Sequence, residues 1–354
     1  MAELKKNSSE RLVYLDLLRI FCTVCMVALH VSGAGMQAPI GSFDWHVCNV
    51  YDGITHFCVP VFAMISGAFL LDPSREYSLD KLYKVKIFRI FTAFVFWSVT
   101  YAVITAVKSN RPFGKELVID FVSNVLKGHF HLWFMFMIAG LYMLTPLLRK
   151  FTQDKKLTEY FFILCGVFMF IIPNISLYSL SGKVDAVASY VNEKFNMDFV
   201  FGFTFYFVAG CYLKQYNLGK KLKAVIYVLG AVSAVLIPYG TYFYSSLAGK
   251  NQFILYAFQS PLIGFLSVAL FVGFKDVFSS VKFGNKSLKV IAFLSATSFG
   301  VYLIHVVFLD AFGINCLAFN SLLSIPALTV AAYAASLAVV SLIRKIPVIN
   351  KYIM

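Results

Sequence analysis

The chain has 354 residues, of which 60% are hydrophobic and only 14% charged, and its mean hydropathy is +0.77. A soluble domain is about half apolar and a quarter charged, so this composition argues against a water-soluble enzyme and excludes disorder, collagen-like repeats and a disulfide scaffold. The formal charge of +14 would point to nucleic acid on a soluble protein; spread among long uncharged runs, it is first a question of membrane topology.

A helix that crosses a bilayer needs about 17–25 mostly apolar residues, and ten runs qualify in order. The first, 12–33, is too long for a signal-peptide core and carries Arg19 and His30, so it reads as an uncleaved span. Ionisable groups inside a span are costly and point to function, and this run holds three, Asp16, Arg19 and His30. Asp16 and Arg19 are i,i+3 neighbours, and Arg19 to His30 is about three turns plus 20°, or about 16 Å along the axis. All three share one stripe facing the bundle interior. A local ion pair holding Arg19 near the surface and a packed imidazole are the plainer readings. Taken together, an inner cation and an outer imidazole form a path for an anionic ligand towards a proton-transfer site.

The second run is 50–71 and the third 87–107, the latter entered through Lys84, Lys86 and Arg89. Such a cluster either anchors a helix at the membrane surface or binds phosphate. The fourth, 132–148, opens with His129, His131 and Trp133. Two His at i,i+2 diverge by about 200° on a helix and no third ligand is near in sequence, so no metal is expected; an aromatic anchor at the outer interface is the simple alternative. The fifth and sixth, 158–173 and 198–213, are short, like the fourth. The seventh and eighth are 224–244 and 254–274, and the ninth, 290–309, places Tyr302 and His305 on one face at the outer depth of His30. The tenth is 322–343. The longest connections, 108–131 and 174–197, are too short for a soluble domain, and no internal repeat is evident. Residues 1–354 thus form one domain, with tails at 1–11 and 344–354. The seven Cys fall mostly inside spans, where Cys is a small apolar residue; Cys48 and Cys316 both lie near the outer side.

Lys and Arg are retained on the cytoplasmic side. With the amino terminus inside, 23 of them fall in inner segments, 7 in outer segments, and Arg19 in the bilayer. The 17 acidic residues divide as 8 inside, 8 outside and Asp16, giving an inner face near +15 and an outer face near −1. The expected fold is therefore an all-α polytopic bundle of about ten transmembrane helices with both termini in the cytoplasm.

Four segments in order resemble the acyltransferase-3 family of integral membrane O-acyltransferases, which acylate bacterial surface glycans. They are Leu15 to Arg19 with His30 eleven residues on; Pro60 to Leu70 with Ser66-Gly67; His131-Leu-Trp133-Phe with Thr145-Pro146; and Ser298 to His305. The family's R-x-x-R reads Lys86-Ile-Phe-Arg89 here, which departs at the first Arg. The resemblance implies a bacterial plasma-membrane enzyme of the stand-alone type, taking an acyl group, acetyl by default, from acyl-CoA. The acceptor would be a cell-surface or lipid-linked glycan, either directly or through a separate extracytoplasmic partner. On that footing Lys84, Lys86, Arg89 and Arg19 would meet CoA, and Asp16 would orient Arg19. His30 would act as general base, or through a covalent acyl-His30, while His131, Trp133, Tyr302 and His305 would line the acceptor side. Nucleic acid and metal are not expected. The rival reading is a transporter or flippase of a lipid-linked glycan or small anion; a non-catalytic sensor has little in its favour.

Overall fold

The computed structural model describes residues 12–178, 187, 190, 198–311, 316–317, 320–347 and 352–353. The tail 1–11 with Lys5, Lys6 and Arg11, the connection around Lys183 and Lys194, and Lys351 lie outside the described residues.

Among the described residues, thirteen α-helices of seven or more residues follow one another: α1 Val13–Ala34, α2 Phe43–Thr55, α3 Cys58–Leu70, α4 Phe88–Lys108, α5 Lys115–Lys127, α6 Trp133–Phe151, α7 Lys155–Cys165, α8 Ile172–Tyr178, α9 Asp198–Gln215, α10 Lys220–Ala248, α11 Pro261–Phe278, α12 Asn285–Ala311 and α13 Ser321–Ile343. π-Helical stretches, Leu82–Ile87 and Gly166–Ile171, lead into α4 and join α7 to α8. No strand occurs among the described residues. Only helices satisfy every backbone group inside lipid without a closed barrel. Nine helical segments among the described residues are long and apolar enough to cross a membrane, and they coincide with nine of the ten expected runs.

The sixth run differs. It forms α9, whose backbone leaves helical geometry at Gly202. α9 lies along α3 in the closest contact of the bundle. A Cβ on Gly67 would come within 1.7 Å of the Phe207 carbonyl oxygen, and one on Gly210 within 1.8 Å of that of Met64. Apolar helices in lipid gain little from burial as such, so packing this close is a main source of their cohesion.

The second run also differs: it is a broken helix, with α2 ending at Thr55 and α3 starting at Cys58. Pro60 explains the break. It has no N–H for the His56 carbonyl four residues back, and its ring crowds that oxygen. The connection 108–131 is not plain loop either, because α5 packs beside α4 with no buried residue and both charged and apolar side chains exposed, as interfacial helices do.

The segments assigned to the inner side meet at one end of the bundle. Arg149 Nη1 donates to the carbonyls of Leu70 and Asp72, each at 2.8 Å. The Asp72 carboxylate takes bonds from Lys214 and Ser74, and Lys275 Nζ donates to the Leu213 carbonyl at 2.6 Å. At the opposite end Trp45 Nε1 donates to Asn251 Oδ1 at 2.9 Å, and Lys108 pairs with Asp310 at 3.2 Å. Loops meeting their own kind at each end are what alternating spans produce. The tail beyond α13 returns to the bundle's flank, where Trp97 Nε1 in α4 donates to the Ile353 carbonyl at 3.2 Å. All seven cysteines are free; Cys48 and Cys316 nonetheless converge on Gly35.

Candidate active site

α1 is the axis of the site. It packs against α2, α3, α11, α12 and α13, and its polar stripe faces a cavity of about 640 Å³. That cavity reaches both Arg19 and His30, so it runs about 16 Å along α1. Around it stand Lys86 and Arg89 at the entry to α4, His131 and Trp133 at the start of α6, and Ser295 and Tyr302 of α12. Seven of the residues singled out in the sequence thus share one space: Arg19, His30, Lys86, Arg89, His131, Trp133 and Tyr302. Asp16 and His305 stand just behind its wall. Lys84 is not part of it; the ammonium pairs with exposed Asp80 at 3.0 Å. Two residues apart on one helical segment, Lys84 and Lys86 project to different sides.

At the basic end, Asp16 and Arg19 are 4.0 Å apart, and Ser295 bridges them. Its hydroxyl donates to Asp16 Oδ1 at 2.5 Å and accepts from Arg19 Nη1 at 3.2 Å. The Arg19 guanidinium lies over the Phe69 ring, 5.6 Å from its centroid, and its side chain is still 31% exposed. It is therefore held in place while still open to the cavity.

Towards the other end, three imidazoles gather. The His30 ring is 5.1 Å from that of His305 and 6.4 Å from that of His131, and His131 and His305 are 5.4 Å apart. His305 Nδ1 donates to the Tyr302 carbonyl at 2.8 Å, while the Tyr302 hydroxyl donates to the His131 carbonyl at 2.8 Å. His129 and His131 share a hydrogen bond through their Nδ1 atoms at 3.1 Å. Among the described residues the buried Nε2 atoms of His131 and His305 have no hydrogen-bond partner. Leaving such an atom unpaired costs about 1–3 kcal/mol, so these two are notable. Among the described residues no group of three or more His, Cys, Asp or Glu is arranged to hold a metal.

Trp133 packs on Phe258 with centroids 5.6 Å apart, and both line the cavity. His56, which sequence reasoning passed over, lines it too. It sits at the α2–α3 break with Nδ1 2.8 Å from the Asp52 carbonyl and 3.5 Å from Asp52 Oδ1. Its signal in the sequence is an Asp and a His at i,i+4 in the outer part of the second apolar run. Chemically, the cavity offers cations at one end, bases further in and aromatic faces beside the bases.

A family model described as an acyltransferase domain matches residues 12–344. Two curated relatives come from Staphylococcus aureus strains Mu50 / ATCC 700699 and MSSA476, and each is described as a probable poly-beta-1,6-N-acetyl-D-glucosamine export protein. They are 25% identical to this chain over 229 residues, 63% of its length and 60% of theirs. The match thus spans about 60% of the length of those relatives. No solved structure matches.

Proposed function

The chain belongs to this family of acyltransferases and is an integral membrane protein, and from that premise we propose that it transfers an acyl group, acetyl by default, from cytoplasmic acyl-CoA to a hydroxyl of a surface or lipid-linked glycan. The basic end of the bundle then faces the cytoplasm, with both termini there, in a bacterial plasma membrane. One observation carries the reading: a single cavity joins Arg19, Lys86 and Arg89 to His30, His131, Trp133 and Tyr302.

CoA is a polyanion made in the cytoplasm. Arg89 and Arg19 present forks, and Lys86 a point charge, to its phosphates. Lys84, exposed outside the cavity, contributes only to the attractive field. Asp16 holds Arg19 in place through Ser295. The pantetheine arm carries the thioester inward to His30. There His30 takes the proton of the acceptor hydroxyl as its oxygen attacks the carbonyl, the C–S bond breaks, and the CoA thiolate leaves. His131, Trp133 and Tyr302 face the acceptor, with His305 packed behind His30.

The test is a His30→Ala variant made at wild-type levels in membranes. It loses acyl-CoA-dependent acylation of surface glycan; undiminished acylation would falsify the role. The second reading, export of a glycan through the same cavity, takes its support from the description of the Staphylococcus relatives as probable export proteins. It requires glycan movement across vesicles lacking acyl-CoA.

A further inference from the structure

Every charged side chain lining the cavity is a cation: Arg19, Lys86 and Arg89. Acyl transfer to a hydroxyl forms a C–O bond, breaks the C–S bond and sends the electron pair away on the CoA thiolate. One proton stays behind in that cationic space. His30 meets the hydroxyl, yet its ring neighbours include two further imidazoles, His305 and His131, and it makes no ion pair with a carboxylate among the described residues. A positive charge left there is poorly supported.

His56 is built differently. Its Nδ1 lies 2.8 Å from the Asp52 carbonyl oxygen. A carbonyl only accepts, so Nδ1 carries the hydrogen and Nε2 keeps the lone pair. The Asp52 carboxylate is 3.5 Å from the same nitrogen, with a side chain 8% exposed against 17% for His56. A proton arriving at Nε2 therefore makes an imidazolium beside the buried Asp52 carboxyl group, which is placed to balance its charge. The ring plane is set by Tyr256 and Phe258, whose centroids are 4.6 and 6.0 Å from that of His56. Tyr256 is itself tied back by its hydroxyl to the Asn49 carbonyl at 3.1 Å. The break forced by Pro60 puts His56 at the end of α2 and on the cavity wall.

We propose that His56 is a second proton acceptor of this cavity, the imidazole to which His30 passes the proton it has taken from the acceptor hydroxyl, so that His30 is neutral again and His56 carries the proton, with Asp52 as its positioning residue. This rests on the acyltransferase reading above. The proton is given up to water before the next turnover, so the cycle needs no further reactant. The titratable groups near the pair are Asp52 on the same helix as His56, His30 of α1, Cys58 at the start of α3 and Tyr256 ahead of α11.

The experiment uses membrane vesicles carrying the full chain, loaded with labelled acetyl-CoA, and follows label into surface glycan as a function of pH. His56→Asn lowers kcat about 100-fold or more while the KM for acetyl-CoA stays within about threefold. Asp52→Asn lowers kcat about tenfold. It also moves the acid limb of the pH–rate profile to lower pH, because an imidazolium without its carboxylate loses its proton more readily. Wild-type rates and profile in both variants overturn the proposal alone. So does a slowed Asp52→Asn variant with the wild-type acid limb, which is what mere damage to packing gives. Wild-type vesicles that transfer no label overturn the acyltransferase reading itself, and the proposal with it. Should His56→Asn fail to accumulate, His56→Gln and the Asp52→Asn profile decide the matter.

Discussion

Ser295 shows what a single hydroxyl contributes at the basic end. Asp16 and Arg19 are 4.0 Å apart, too far for a direct hydrogen bond, and Ser295 closes the gap from another helix. Ser295→Ala therefore removes one of the bonds that position Arg19. The apparent KM for acetyl-CoA rises about fivefold, on the order of 1 kcal/mol, with kcat little changed. Arg89→Ala raises the same KM about tenfold or more, whereas Lys84→Ala, outside the cavity, leaves it near wild type; initial rates in the labelled-donor assay separate the three. The sequence made Arg19 and His30 legible because one helix carries both and helical spacing fixes their relation. Ser295 was not legible, since hydroxyls are common in apolar helices and only the fold brings this one to α1. His56 has a local signal, an Asp four residues before it, but only the fold brings the pair to the cavity.

Among the elements, the broken second span carries the sharpest prediction. Pro60→Ala restores the N–H that the His56 carbonyl lacks and removes the ring that crowds it. The protein then keeps or gains thermal stability in detergent but loses acylation, because a continuous helix turns His56 and Asp52 away from their present places. Retained activity together with a raised melting temperature would show that the break serves packing only. Hydropathy located nine spans well because each is long and nearly free of charge. It missed the break, which depends on one residue's chemistry, and the amphipathic α5, which is too polar to read as a span. It also gave no hint of the Gly202 kink in α9. Gly67 and Gly210 were visible only as small residues; the partner backbone that requires them lies 140 positions from Gly67 and 146 from Gly210. Gly67→Ala forces that contact apart, and its expected outcome is a lower melting temperature or a lower yield of folded protein.

On the scale of the whole molecule, the basic excess is placed rather than diffuse. The proposed orientation is checked by labelling intact cells with a membrane-impermeant thiol reagent: a Lys250→Cys variant reacts from outside, and a Lys282→Cys variant only after permeabilisation. The basic end also has a keystone. Burial alone would raise the Asp72 carboxyl, but bonds from Lys214 and Ser74 outweigh it and hold the group below the usual carboxylate range. A lowered folded-state value stabilises the fold at pH above the unfolded value, about 3.9, and that contribution fades as the pH falls through the lowered value. Asp72→Asn accordingly lowers the melting temperature at pH 7, and the difference from wild type shrinks below about pH 4; a difference constant with pH would remove the electrostatic account. Finally, the backbone contact between α3 and α9 has a mechanical meaning. Two rods that touch at the main chain, with no side chain between them to act as a bearing, neither roll nor slide past one another. That side of the molecule is a fixed stator, and any opening that admits a bulky acceptor to the cavity falls to a seam packed through side chains, such as that between α4 and α6, where the Phe94 and Phe136 rings meet at 4.5 Å.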